Sequence, residues 1–230
     1  MSFHLFAGLA SCALLFPWIG PARRARCIRR WSGRLLAICG VGVEQLPGSP
    51  ALAHALVVAN HVSWLDIFVI NALQPCRFVA KSEIRAWPVL GWLAAQAGTV
   101  FIARGNRRDL RHIFKGVVAS LEAGERVAFF PEGTTAAQGA LLPFHANLFE
   151  AAIDAGVALQ PYAIRYVDAR GSLHPAVDFL GETTFVQSML NVLSAGGLRA
   201  QLVCLPAQDA ALAHRRELAR AAQEAVARAF

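Results

Sequence analysis

A chain of 230 residues can hold one globular domain with a substantial core, plus an appendage. Its 56% hydrophobic and 16% charged residues, with a mean hydropathy of +0.43, exclude a disordered chain, which needs low hydrophobicity and high net charge. A formal charge of +7 points to anionic surfaces or acidic carriers; with no nucleic-acid motif, nucleic acid is excluded as a partner and the lipid bilayer is expected instead.

The chain begins with an apolar run over residues 3–20 (FHLFAGLASCALLFPWIG), followed by PARRARCIRRWSGR with six arginines between Arg23 and Arg34. A signal peptide would carry its charge before the apolar run and a small-residue cleavage site after it. The run is near the roughly 20 apolar residues that a crossing requires, and Pro17 and the glycines weaken a straight span. An interfacial or re-entrant anchor is the preferred reading. A single crossing and an ordinary buried helix are the alternatives. In either membrane reading the arginines lie against cytoplasmic headgroups, which sets the expected location at the cytoplasmic face of a membrane, the inner one in a bacterium. Residues 35–43 are a second apolar stretch, too short to cross. The turn-rich Pro47-Gly48-Ser49-Pro50 divides the chain into an anchoring helical region with a basic cluster, 1–46, and an α/β domain, 47–230. Five cysteines, at 12, 27, 39, 76 and 204, show no C-x-x-C spacing and read as reduced thiols rather than a disulfide frame or a metal site.

Beyond the break, strands and helices alternate. Strands are expected at 55–59, 77–80, 99–103, 127–130, 157–167 and 198–205. Helices are expected at 64–73, 87–97, 145–155, 183–194 and 208–230. One more, the clearest, runs from a cap at Asn106 to Gly124, with Leu110, Ile113, Phe114, Val117, Val118 and Leu121 on one face. Its other face carries Arg107, Arg108, Arg111 and Lys115, either solvated or set against lipid or an acidic carrier. The alternation predicts an α/β fold: a mostly parallel mixed sheet flanked by helices, with the N-terminal membrane-associated helical segment attached. Sites in such sheets lie where strands end and helices begin.

Three stretches there carry chemistry. NHVSWLD (60–66) leaves a buried strand. On one helix His61 and Asp66 would stand about 140° apart, at roughly 100° per residue. If the helix starts at Ser63 or Trp64, the preceding turn can fold His61 back over Asp66, which suits a base and its orienting carboxylate. Alternatively Ser63-x-x-Asp66 approximates a capping box, with Asp66 satisfying backbone N–H groups only. FFPEGTT (129–135) also leaves a strand. It presents Glu132, then Gly133, which permits close approach of backbone to a ligand, then the hydroxyls of Thr134 and Thr135; a simple strand-to-loop turn is the alternative. KSEIRAWPVLGWLAAQAGTVFIAR (81–104) ends in Arg104 beside Gly105, where a guanidinium can grip a phosphate or merely be solvated.

Together these stretches resemble the glycerolipid acyltransferase family, the 1-acyl-glycerol-3-phosphate acyltransferases and their relatives. The matching blocks are NHVSWLD; the Lys81, Glu83, Pro88, Gly91 and Gly98 pattern closing on FIAR; FPEGT; and Leu159-Gln160-Pro161-Tyr162. The resemblance covers roughly residues 50 to 170. It implies transfer of a fatty acyl group from acyl-CoA or acyl-carrier protein to the free hydroxyl of a lysolipid, in phospholipid biosynthesis. His61 would take the hydroxyl proton and Asp66 would hold its tautomer. Glu132, Gly133, Thr134 and Lys81 would bind substrate, and Arg104 would meet the acceptor's phosphate. No covalent acyl-enzyme, metal or cofactor beyond the acyl donor is implied. One position departs from the pattern: the family commonly reads F-P-E-G-T-R, and here Thr135 replaces the arginine usually given to phosphate. This keeps lyso-ornithine lipid as an alternative acceptor to 1-acyl-sn-glycerol-3-phosphate. A non-catalytic membrane-binding relative is a further alternative, disfavoured by the intact His–Asp pair. A serine hydrolase is disfavoured because no G-x-S-x-G elbow is present. Trp64, Trp87, Trp92 and Phe101 are candidate walls for the acyl chain, with core packing the simpler reading.

Overall fold

The computed structural model describes residues 2–86, 90–102, 107–211 and 214–229. The N-terminal apolar run becomes α1 (Ser2–Ala10), a π-helical turn (Ser11–Leu15) and a 3-10 turn (Phe16–Trp18). Pro21, whose missing N–H would be unpaired at a helix start in any case, opens α2 (Pro21–Ile38), the arginine-rich helix. The two helices are pinned together reciprocally. Trp31 Nε1 donates to the His4 carbonyl at 3.1 Å, His4 Nε2 donates to the Trp31 carbonyl at 3.0 Å, and the two rings stack at 4.8 Å. Among the described residues, no helix is long and apolar enough to cross a membrane. The run instead buries Cys12 and Phe16 and leaves Phe3, Phe6 and Trp18 exposed at 85%, 70% and 87%.

Among the described residues, seven strands form one sheet in the order β1-β7-β6-β2-β5-β3-β4: β1 (Val41–Gln45), β2 (Leu56–Ala59), β3 (Arg77–Lys81), β4 (Val100–Ile102), β5 (Val127–Phe129), β6 (Leu159–Val167) and β7 (Leu198–Cys204). All neighbours are parallel except β6 and β7. The expected α/β class and mostly parallel mixed sheet are therefore as observed. The sheet begins earlier than the break at residue 47 suggested. β1 lies within the stretch assigned to the anchoring region, pairs with β7 from Val41↔Leu198 to Gln45↔Leu202, and buries Val41 in the core.

Central β2 is buried at every position, as an apolar run covered on both faces should be. Its alternation divides the core. Val57 and Ala59 face α2, α3 (Asp66–Leu73) and α7 (Phe185–Ala195), packing with Leu36, Val69, Ile70 and Val192. Leu56 and Val58 face α5 (Arg107–Glu122), α6 (Glu150–Asp154) and α8 (Arg215–Ala227), packing with Val117, Leu121, Ala152 and Ala222. α4 (Leu90–Gln96) sits on the 3-10 turn Ser82–Ala86. Gly91 permits that approach, because a Cβ there would fall 2.4 Å from the Arg85 carbonyl oxygen. The fourth sequence block runs beside β2 along its whole length, from Leu56↔Leu159 to Ala59↔Tyr162.

Candidate active site

β2 and β5 are parallel neighbours, so the loops that follow them emerge at one edge of the sheet. Asn60 makes the exit from β2 possible. Its side chain stands in for a peptide group, donating to the Ile164 carbonyl and accepting from the Ile164 N–H, both at 2.8 Å. The ladder to β6 is thereby completed while the main chain turns away at His61.

The helix after the turn starts at Asp66, later than Ser63 or Trp64. The turn Ser63-Trp64-Leu65 is closed by the Asp66 N–H donating to the Ser63 carbonyl at 3.1 Å. This brings His61 Nδ1 to 2.8 Å from Asp66 Oδ2. The same oxygen accepts the N–H groups of Val62 at 2.7 Å and Ser63 at 2.9 Å. Asp66 therefore satisfies backbone N–H groups, as the capping alternative has it, but not those only: it also holds the imidazole, and the Ser63 hydroxyl closes no capping box, since the helix starts at Asp66 with no side-chain cap. Asp66 is fully buried, while the His61 side chain keeps 19% exposure. A carboxylate can only accept, so Nδ1 carries the ring hydrogen and Nε2 is the basic atom. Nε2 has no hydrogen-bond partner among the described residues. Phe130 stacks flat on the ring at 4.0 Å and 8°, and Phe78 stacks behind Phe130 at 5.9 Å. The imidazole is thus held on one face by an aromatic ring, at one nitrogen by a buried carboxylate, and is open at the other nitrogen.

Two residues that sequence reasoning passed over complete this arrangement. Asn60 is one. The other is Tyr166, on β6, whose hydroxyl donates to Asp66 Oδ1 at 2.6 Å. Only an apolar strand pattern marked its position, and nothing local to it signals a partner one hundred residues away.

Glu132 behaves differently from its expected role. It is 3% exposed, and its two oxygens accept main-chain N–H groups, Oε1 from His61 at 2.7 Å and Oε2 from Leu142 at 2.8 Å. The carboxylate therefore ties the loop after β5 to the histidine turn and is turned inward. Burial pushes its carboxyl above the usual carboxylate range, against the opposing pull of the two N–H groups and of His61. The tie is reinforced by the Ala136 N–H, which donates to the His61 carbonyl at 2.8 Å. Gly133 has φ +69°, a left-handed conformation that favours glycine. Its N–H is committed to the Phe130 carbonyl at 3.1 Å, so it closes a turn instead of cradling an oxyanion. Thr134 is exposed. The Thr135 hydroxyl donates to the Phe179 carbonyl and so is turned into the protein. Lys81 is exposed at the end of β3, on the same sheet edge and beyond β5 from the histidine. Arg104 and the expected cap Asn106 lie outside the described residues, as do Trp87 and Pro88. Trp64 packs on Phe68 and Phe185 and donates from Nε1 to Ser188 Oγ at 3.1 Å, which is core packing; Trp92 is 41% exposed.

The arrangement provides one buried, fully hydrogen-bonded anion behind one accessible imidazole nitrogen, a geometry able to accept a proton from a hydroxyl at the sheet edge. Known proteins resemble the chain over most of its length. The chain is 41% identical over 190 residues to a 1-acyl-sn-glycerol-3-phosphate acyltransferase of Neisseria meningitidis, covering 80% of this chain and 73% of that one. It is 40% identical over 206 residues to a lyso-ornithine lipid O-acyltransferase of Pseudomonas aeruginosa, covering 88% of this chain and 78% of that one. Its fold superposes on the crystal structure of a 1-acyl-sn-glycerophosphate acyltransferase from Thermotoga maritima with a TM-score of 0.68 at 22% identity, over 99% of this chain and 85% of that one. The Acyltransferase family profile matches residues 40–165, a span that holds β1 to β5, the His61–Asp66 pair and most of β6: the chain belongs to the Acyltransferase family.

Proposed function

We propose that this protein moves a fatty acyl group from acyl-CoA or acyl-carrier protein to the free hydroxyl of a lysolipid at a membrane surface, with His61 as general base. The observation that carries the reading is the open Nε2 of an imidazole whose Nδ1–H is held by buried Asp66 at 2.8 Å. Nε2 takes the hydroxyl proton as the oxygen attacks the thioester carbonyl. The C–O bond forms, the C–S bond breaks, and the proton held on the imidazolium passes to the departing thiolate. Asp66 stabilises the imidazolium while it exists. The acceptor we assign first is 1-acyl-sn-glycerol-3-phosphate, with Lys81 and Arg104 toward its phosphate. A second reading, a lyso-ornithine lipid acceptor, is favoured by Thr135: its hydroxyl is spent on the Phe179 carbonyl, so this position offers phosphate no ligand. The relatives include proteins named for each acceptor.

Membrane docking is proposed through the α1–α2 hairpin. Exposed Phe3, Phe6 and Trp18 would enter the interface and the arginines of α2 would meet anionic headgroups, without a crossing. The proposed location is the cytoplasmic face of a bacterial inner membrane.

The test is turnover by purified protein with labelled acyl-CoA or acyl-carrier protein against a panel of lysolipids, for the wild type and for His61→Ala. Acyl transfer to one lysolipid that falls by about 10²–10⁴-fold in the variant is expected. Turnover unchanged in His61→Ala would overturn the mechanism, and vesicle binding with no turnover on any lysolipid would favour a non-catalytic role.

A further inference from the structure

We infer that Tyr166 is a positioning residue for the His61–Asp66 pair, setting both the direction of the Asp66 carboxylate and the basicity of His61. The inference rests on the general-base reading of His61. Its grounds are geometric. Asp66 Oδ2 is crowded with three donors, from His61 Nδ1 and from the Val62 and Ser63 main chain. The only donor that the described residues supply to Oδ1 is the Tyr166 hydroxyl, at 2.6 Å. Both residues are fully buried, so water cannot readily replace that contact. Tyr166 itself is fixed by the sheet. It lies in β6, paired with Ala200 of β7, and its N–H donates to Gln138 Oε1 at 2.6 Å. The rigid strand therefore reaches across to the first residue of α3 and locks one carboxylate oxygen, which leaves the other aimed at the imidazole.

The phenol also adjusts charge. An O–H donated to a carboxylate disperses part of its negative charge and weakens its hold on a neighbouring imidazolium. Removing the hydroxyl leaves Asp66 more strongly attractive to a proton on His61, so the imidazole keeps its proton to higher pH. Among the described residues, the titratable groups that face the pair are Tyr166 from β6 and Glu132 from the loop after β5, whose carboxylate receives the His61 N–H; His145 lies beside Gly133 on that same loop. Conversely, burial beside Asp66 keeps the Tyr166 phenol protonated, far above its ordinary range, so it remains a donor at every working pH.

The experiment compares wild type with Tyr166→Phe, which keeps the ring and removes the oxygen. Two readouts are taken: the pH profile of kcat/KM for acyl transfer, and titration of His61 by NMR of ring-labelled histidine, assigned with His61→Gln. With the carboxylate no longer held in direction, the imidazole is misaligned for the acceptor hydroxyl, and kcat should fall about ten- to a hundredfold with the acceptor KM little changed, although the freed charge holds the imidazolium more strongly. The acid limb and the His61 titration should both move to higher pH. A variant that loses rate with neither moving has lost packing only, and overturns the inference, as does one with unchanged rate. Should Tyr166→Phe fail to fold, 3-fluorotyrosine incorporated at 166 keeps the shape with a more acidic phenol. It should move the His61 titration to lower pH, and no movement there overturns the inference. The NMR titration needs no turnover, so absence of acyl transfer in the wild type would count against the proposed function and leave this result separately readable.

Discussion

Replacing Asp66 by asparagine exchanges one buried oxygen for an amide nitrogen and removes the charge. The amide cannot place its nitrogen at the Oδ2 position, where it would meet three donors at 2.7 to 2.9 Å. The nitrogen must take the Oδ1 position, and the Tyr166 hydroxyl, now a donor facing a donor at 2.6 Å, must rotate to accept. Hydrogen bonds to a charged acceptor contribute about 1.5–3 kcal/mol and neutral ones about 0.5–1.5. Three bonds on Oδ2 thus each weaken by about 1 kcal/mol, and because one oxygen shares them the combined loss should be about 2–3 kcal/mol of folding stability. The tautomer survives, since the amide oxygen still receives Nδ1–H. The imidazolium formed during transfer, however, loses its counter-charge. We predict a fall in kcat by about 10²-fold or more, with a urea midpoint lowered by the equivalent of about 2–3 kcal/mol. The assay is acyl transfer at saturating donor, beside urea unfolding monitored by circular dichroism. Asp66→Asn with kcat within about tenfold of wild type would refute the claim that the charge on Asp66 supports the reaction. A variant of wild-type stability would refute the hydrogen-bond reasoning.

Two other outcomes concern stability and docking. Glu132 has a carboxyl raised above its ordinary value of 4.5 by burial, so its ionisation opposes folding. Its contribution is fullest below that value and declines as pH rises through the folded-state pKa. The stability of wild type relative to Glu132→Gln, read as urea midpoints, should therefore fall from mildly acidic toward neutral pH, and a difference that grows with pH would contradict the assignment. At the surface, Phe3, Phe6 and Trp18 are exposed at 85%, 70% and 87%, and full burial of one such side chain contributes about 1.5–3 kcal/mol. Even partial insertion predicts that the triple change to serine weakens sedimentation with phosphatidylglycerol-containing vesicles about tenfold or more; unchanged binding would remove the hairpin as the docking element.

Much of the architecture is visible in local pattern. The apolar runs at 56–59 and 127–129 became fully buried strands, and the region from Thr184 became α7 with a reciprocal Thr184–Gln187 capping box. The strand at 41–45 was not visible, because VGVEQ has neither an unbroken apolar run nor clean alternation. It becomes a strand only through β7, over 150 residues away in sequence. Glu132 illustrates the same limit in the site. A glutamate before a glycine at a strand's end looks exposed and available, yet the partners at His61 and Leu142 draw it inward.

What the sequence by itself determined is the chemistry on offer: a histidine and an aspartate five positions apart at the end of a buried strand, with a second conspicuous loop to face them. Hydrophobic periodicity and residue type are local properties, and they suffice for that. What only the tertiary structure decided is how the pair is held, because the Asn60 ladder bond, the Glu132 tie and the Tyr166 hydroxyl join residues 71 to 104 positions apart in sequence. Such contacts exist only once parallel strands β2, β5 and β6 stand side by side and a buried carboxylate must find every donor within reach.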